Sequence, residues 1–134
     1  MTATADPIVY VDSSALVKLV LLEPESVAAG ALVLAAPAVA TSRVALVEVA
    51  RAVFRADPGS DALADAEGVL APFFLVDVDA GVLRQAAALT GGLRSLDAIH
   101  LASALTVGAE AMLVYDIRLA SAVEAAGLRV IAPS

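Results

Sequence analysis

The sequence predicts an α/β fold, on three observations. Strand-like runs of four or five residues alternate with helical stretches, and neighbours so far apart in sequence pair in parallel through crossover helices rather than through hairpins. The composition is 60% hydrophobic but only 4% aromatic, so Ala, Val and Leu must fill the core, which suits buried parallel strands and closely packed helices. The length, 134 residues, suits one domain with one sizeable core. No linker, low-complexity tract or repeat divides it, so residues 1–134 read as a single domain.

The elements follow in order. Ile8 to Val11 is β-branched and aromatic and reads as a strand ending at Asp12; Ser13 and Ser14 then open a helix through Leu16, Val17 and Val20. A helix over Glu25 to Ala35, a strand over Ala38 to Thr41 and a longer helix over Ser42 to Arg55 come next, the last stopped by Asp57-Pro58-Gly59. Ser60 to Leu70 reads as a helix, Phe73 to Val76 as a strand, and Ala80 to Leu89 as a helix closed by Gly91-Gly92. Ser95 caps a helix that runs to Val107 and ends near Gly108. A strand over Met112 to Tyr115, a helix over Arg118 to Ala126 ending at Gly127 and a strand over Arg129 to Ile131 complete the chain.

Composition also excludes chemistries. With no cysteine there are no disulfides, thiolate metal sites or cysteine nucleophiles, so catalysis must run on oxygen and nitrogen. Met1 to Pro7 carries Asp6 and no Lys or Arg, unlike the basic start of a secretory signal. The longest apolar run, Val27 to Ala40, is broken by Gly30 and Pro37 and is shorter than the roughly 20 residues that cross a bilayer. The expectation is a soluble cytoplasmic protein with no membrane contact. A formal charge of −7 argues against a surface that neutralises phosphates by Lys and Arg, unless metal ions supply positive charge.

Four acids stand out. Ligands of open α/β sheets bind beyond the carboxyl ends of the strands, where Asp12 and Asp116 both fall. Asp97 lies in the first turn of its helix, and Glu48 lies within a helix whose core face is Leu46, Val49, Ala50 and Val53, on a stripe with Arg51 and Arg55. Four converging carboxylates would repel and raise one another's pKa unless cations sat between them. All-oxygen ligands suit Mg²⁺ or Mn²⁺, which can polarise a phosphodiester and activate water for in-line attack. Each acid also has a plainer explanation. Asp12 and Asp116 suit helix N-caps, Asp97 suits a helix macrodipole, and Glu48 can pair with Arg51 on a solvated face. His100, one turn after Asp97, is either its partner, a substrate contact, or a packed and satisfied core side chain. Spacing alone leaves the function open.

The phrase Val11-Asp12-Ser13-Ser14-Ala15-Leu16-Val17-Lys18-Leu19 resembles the opening motif of PIN domains of the VapC toxin type. Thr41-Ser42-Arg43 to Glu48-Val49-Ala50-Arg51-Ala52 is similar to that family's second motif, and Leu96-Asp97-Ala98-Ile99-His100-Leu101-Ala102-Ser103-Ala104 to its third. Tyr115-Asp116-Ile117-Arg118-Leu119-Ala120, then Ala125-Ala126-Gly127-Leu128, resembles the closing segment, so the likeness spans nearly the whole chain in order. The resemblance implies a three-layer α/β/α PIN-like fold with a short, mainly parallel central sheet. It also implies Mg²⁺- or Mn²⁺-dependent endoribonuclease activity, and a toxin neutralised by a VapB-like antitoxin and typically homodimeric. By position Asp12, Glu48, Asp97 and Asp116 would be the catalytic and metal-binding acids, with Ser13 hydrogen bonding to that shell. The sequence departs from the pattern at Val114, where relatives commonly carry Thr, and Arg118 and Leu119 offer no further acid. One strongly held metal is therefore the expectation.

Arg43, Arg51, Arg55 and Arg94 are candidate RNA contacts, or else ordinary helix-surface charge. The mean hydropathy of +0.89 suggests that a partner covers some apolar surface. Two other readings compete. A receiver-like Mg²⁺-binding signalling domain also gathers aspartates after strands, but it needs a late lysine, and the only one here is Lys18. A non-catalytic PIN-like interaction module is the other, with Val114 its one hint. Which RNA would be cut is not encoded in these motifs.

Overall fold

The structure is a computed structural model that describes residues 6–134; of the Met1 to Pro7 stretch, residues 1–5 lie outside the described residues. The elements run β1 (Ile8–Val11), α1 (Ser13–Val17), α2 (Ser26–Ala35), β2 (Ala38–Ser42), α3 (Ala45–Ala56), α4 (Ala62–Leu70), β3 (Phe74–Val76), α5 (Ala80–Ala88), α6 (Ser95–Val107), β4 (Ala111–Leu113), α7 (Ile117–Ala125) and β5 (Arg129–Ile131). The five strands form one parallel sheet in the order β3-β2-β1-β4-β5. The chain fills one side of β1 first and then crosses to the other, which puts a topological switch point between β1 and β4, the usual place for a ligand crevice in such sheets.

Side chains alternate across the strands and so divide the core into two layers. Tyr10 and Met112 stand opposite each other in register and point to one face, where Val82, Leu101, Leu119 and Val123 from α5, α6 and α7 cover them. Val11 and Leu113, the next pair, point to the other face, under Leu16, Ala29, Val49, Val53 and Leu70 from α1 to α4. The result is a three-layer α/β/α arrangement, as expected. Alanines at Ala15, Ala45, Ala102 and Ala104 are fully buried, and these small side chains let helix and sheet backbones approach closely where aromatic residues are few.

Several boundaries differ from the sequence reading for identifiable reasons. The first helix stops at Val17, because Lys18, Leu19 and Val20 donate to carbonyls three residues back and tighten the chain into turns. The third starts at Ala45 rather than Ser42, because Ser42 still pairs with Val76 and the Arg43 amide donates to the Val76 carbonyl. Helix α4 starts at Ala62, with Asp61 as its N-cap accepting from the Ala64 amide. Ser95 does not cap α6; it is the first helical residue, after Arg94 at the N-cap position. At the other end Gly108 takes the left-handed conformation, φ 74°, which only glycine adopts without strain. Among the described residues, no helix is long and apolar enough to cross a membrane.

Candidate active site at the carboxyl edge of the sheet

Asp12 ends β1 and begins α1. Its amide donates to the Leu113 carbonyl, continuing the sheet, and its own carbonyl accepts from the Ala15 and Leu16 amides. The residue is 3% exposed. Oδ2 accepts from Ser14 Oγ at 2.6 Å, while Oδ1 is buried and finds no hydrogen-bond partner among the described residues. A buried acceptor without a partner is costly and calls for an explanation in ion or solvent.

Asp116, at the N-cap of α7, spends Oδ1 on the Leu119 amide at 2.8 Å. Here the capping explanation holds, and one carboxylate oxygen remains. Asp97 lies in the first turn of α6 and is half-buried. Burial raises its pKa above the ordinary aspartate value; the charges of Asp12 and Asp116 add to this, against an opposing effect of Arg94. Asp97 therefore feels both other aspartates, as expected for carboxylates gathered in one place.

Glu48 does not pair with Arg51 on a solvated face. It is half-buried in the first turn of α3, where Oε2 accepts from Ser13 Oγ at 2.9 Å and Oε1 lies 2.6 Å from His100 Nε2. His100 is a fully buried side chain, with Nδ1 2.6 Å from the Tyr10 hydroxyl; it bonds to Glu48 rather than to Asp97. Burial works against its charged form, but the bond to Glu48 and the charges of Asp12, Glu48 and Asp97 outweigh this and leave its pKa raised. Burial also pushes the Tyr10 phenol far up, so it keeps its proton.

All four acids line one cleft of about 580 Å³, with Ser13, Ser14 and three of the four candidate arginines, Arg51, Arg55 and Arg94. Arg43 is the exception: it pairs with Asp77 on an exposed face. Lys18 is bound to Glu25 and Glu23, which removes it as the phosphoryl-contacting lysine of a receiver domain. Three helix N-termini, those of α3, α6 and α7, carry Glu48, Asp97 and Asp116 in their caps or first turns, and the positive ends of their dipoles offset part of the mutual repulsion.

The donor set fits a hard divalent cation. It offers only carboxylate oxygens, one of them orphaned and buried, and a neighbour whose pKa is raised by burial and, after that, by Asp12 and Asp116. Among the described residues, however, no group of three or more acidic or imidazole side chains is already drawn around a common ion-sized centre. The four acids share a cleft, and Asp12, Glu48 and Asp116 are anchored to separate partners. Tyr10 is a residue of this site that the sequence reading passed over; as a strand residue it looked like core, and its link to Glu48 runs through a histidine 90 positions away.

Residues 9–125 match the sequence model of the PIN domain. The chain belongs to the PIN-domain family, in its VapC branch. This PIN domain is 40% identical to Ribonuclease VapC46 of Mycobacterium tuberculosis over 94% of the chain and 98% of that protein. It is 39% identical to Ribonuclease VapC35 of the same species over 93% and 96%. Among solved structures it is similar to VapC20 of M. tuberculosis, described as a sarcin-ricin loop cleaving toxin, with TM-score 0.76 and 22% identity over 93% of this chain and 99% of that one. VapBC2 of Rickettsia felis, solved on a DNA fragment from its promoter, gives TM-score 0.69 and 15% identity over 92% and 97%. These two likenesses concern the fold of the PIN domain.

Proposed function

We propose that the chain is a divalent-metal-dependent endoribonuclease and the toxin of a toxin–antitoxin pair, acting in the cytoplasm. One observation carries this reading: acids from four separate segments, Asp12, Glu48, Asp97 and Asp116, line a single cleft at the switch point of the sheet, in a chain 40% identical to a ribonuclease.

Asp12, Glu48, Asp97 and Asp116 would hold Mg²⁺ or Mn²⁺. When bound, such a cation neutralises phosphate charge and activates water for hydrolysis. Asp12 contributes the oxygen without a protein partner, and Ser14 orients it through the other. Ser13 and His100 hold the two oxygens of Glu48. Arg51, Arg55 and Arg94, on the cleft lining, would grip the RNA phosphates. Phe54 and Leu63, more than half exposed and beside Arg51 and Arg55, form an apolar patch that we assign to a segment of a VapB-like antitoxin. A homodimer is the assembly we expect, by likeness to the family.

The decisive experiment incubates purified, antitoxin-free protein with a mixed RNA pool in Mg²⁺, Mn²⁺ or chelator, beside Asp12→Ala and Asp97→Asn. Metal-dependent cleavage, lost in both variants, is the expected result. Cleavage that persists unchanged in the variants would reject the assignment, and a folded wild-type chain that cuts no RNA with either metal would favour a non-catalytic module.

A further inference from the structure

Three of the four acid-bearing segments are joined beneath the cleft by a chain of short hydrogen bonds. Tyr10 stands on β1, two residues before Asp12; His100 stands on α6, one turn after Asp97; Glu48 stands on α3. The two ring-bearing residues are fully buried and meet edge to face, with centroids 5.8 Å apart and planes at 67°. The Tyr10 hydroxyl lies 2.6 Å from Nδ1 and Glu48 Oε1 lies 2.6 Å from Nε2. A carboxylate oxygen only accepts, so Nε2 carries the hydrogen whichever protonation state the ring adopts.

We propose that Tyr10 and His100 are positioning residues for Glu48: the buried hydroxyl fixes the imidazole ring, and the ring's Nε2–H fixes the carboxylate at the wall of the cleft. The proposal rests on the reading of Glu48 as a metal ligand. A glutamate side chain loses much rotamer freedom when it is immobilised. Here that freedom is already surrendered, since His100 holds one oxygen from below and Ser13 holds the other from the cleft lining. Ligands fixed beforehand by such outer partners bind more tightly, and loss of an outer partner typically weakens metal affinity about 10–100-fold. The relay also ties the rotamer of Glu48 to β1 and α6, so the segments carrying Asp12 and Asp97 share one rigid support with it.

The chain has a single histidine, so its ring nitrogens can be observed alone by ¹⁵N-histidine labelling of the full chain. Wild type should show an Nε2–H proton that exchanges slowly with solvent and shifts in both Glu48→Ala and Tyr10→Phe. Mn²⁺ titration followed by electron paramagnetic resonance should show affinity reduced at least about tenfold in His100→Leu and largely recovered in His100→Gln, which retains an N–H donor. Melting curves without Mn²⁺ separate lost folding from lost positioning. If His100→Leu does not fold, Tyr10→Phe, which removes one oxygen atom, takes its place and should bind Mn²⁺ more weakly. Mn²⁺ affinity unchanged in a folded His100→Leu or Tyr10→Phe, a His100→Gln no better than Leu, or a histidine whose Nε2 carries no protected hydrogen would overturn the proposal. A wild-type chain that binds no Mn²⁺ would overturn the metal-dependent nuclease reading instead, and the histidine spectra would then decide the relay alone.

Discussion

Asp12→Asn should make the protein more stable in chelator while destroying its response to Mg²⁺. Asp12 is almost wholly buried, Ser14 satisfies one of its oxygens, and the other has no hydrogen-bond partner among the described residues. Although it occupies the N-cap position of α1, its side chain makes no cap bond, so substitution forfeits no cap. An unsatisfied buried acceptor costs about 1–3 kcal/mol, and more when charged. Asparagine keeps the shape, can still accept from Ser14, and removes the buried negative charge that acts on Asp97. The gain without metal should be about 1–2 kcal/mol, or a melting temperature higher by about 3–8 °C for a chain of this length. In Mg²⁺ the order should reverse, because a ligand at 100 times its dissociation constant stabilises the folded state by about 2.7 kcal/mol and the variant has lost the central ligand. Circular-dichroism melts in chelator and across a Mg²⁺ series measure both effects. A variant less stable than wild type in chelator, or one that gains as much from Mg²⁺, would refute the account of Asp12 as a ligand held at the expense of the fold.

Three further outcomes are expected. Leu113→Ala, at a fully buried position of β4 beneath the α1–α4 layer, should cost about 2–5 kcal/mol and lower the urea midpoint at unchanged slope. Gly108→Ala should cost about 1–2 kcal/mol, and since nothing lies within 4 Å of the added Cβ, urea unfolding would read the left-handed backbone alone. The folded-state pKa of Asp97 is raised by burial and by Asp12 and Asp116, so the folded chain holds that proton more firmly than the unfolded one. Its contribution is full below the ordinary aspartate value of about 4 and is lost as pH rises through the raised value. Metal-free Asp97→Asn should therefore show a smaller decline in unfolding free energy over that window, and an identical decline would show that Asp97 is not the group responsible.

Much of the fold was legible because its signals are local. Ile8 to Val11 and Arg129 to Ile131 are strands with the expected bounds, and Gly108 ends α6 as read. The errors occur where tertiary pairing overrides local preference. Ser42 looked like the start of a helix, yet the sheet claimed it through Val76; Ser95 looked like a cap, yet Arg94 occupies that position. In the site, the acids could be picked out one by one, but their partners could not. Glu48 beside Arg51 satisfied every local rule for a surface pair, and its bond to His100 spans 52 positions. Helices α3 and α6 pack on opposite faces of the sheet, so only the tertiary fold brings the two side chains together, and no periodicity encodes that meeting. Arg43 sits in the same motif as Glu48 and turns to Asp77 instead of the cleft, because it belongs to the turn before α3 and not to the helix face that carries Arg51 and Arg55.

An acidic protein that handles an acidic polymer needs its negative charge arranged rather than diluted. The arrangement here uses backbone as well as side chain. Glu48 and Asp97 sit in the first turns of α3 and α6, and Asp116 caps α7, so these three carboxylates lie near the positive ends of helix dipoles. Ser14 holds Asp12, Ser13 and His100 hold Glu48, and the Leu119 amide holds Asp116, so these acids line one cleft with Asp97 on separate anchors and without forming a closed cage. The same anchors leave the buried Oδ1 of Asp12 and the second oxygen of Asp116 without a protein partner of their own. A bound cation would then reverse the sign of the field at the centre, while Arg51, Arg55 and Arg94 on the same lining extend it outwards. The net charge of the chain thus says little about its affinity for RNA, because the relevant field is the local one and depends on whether the ion is present.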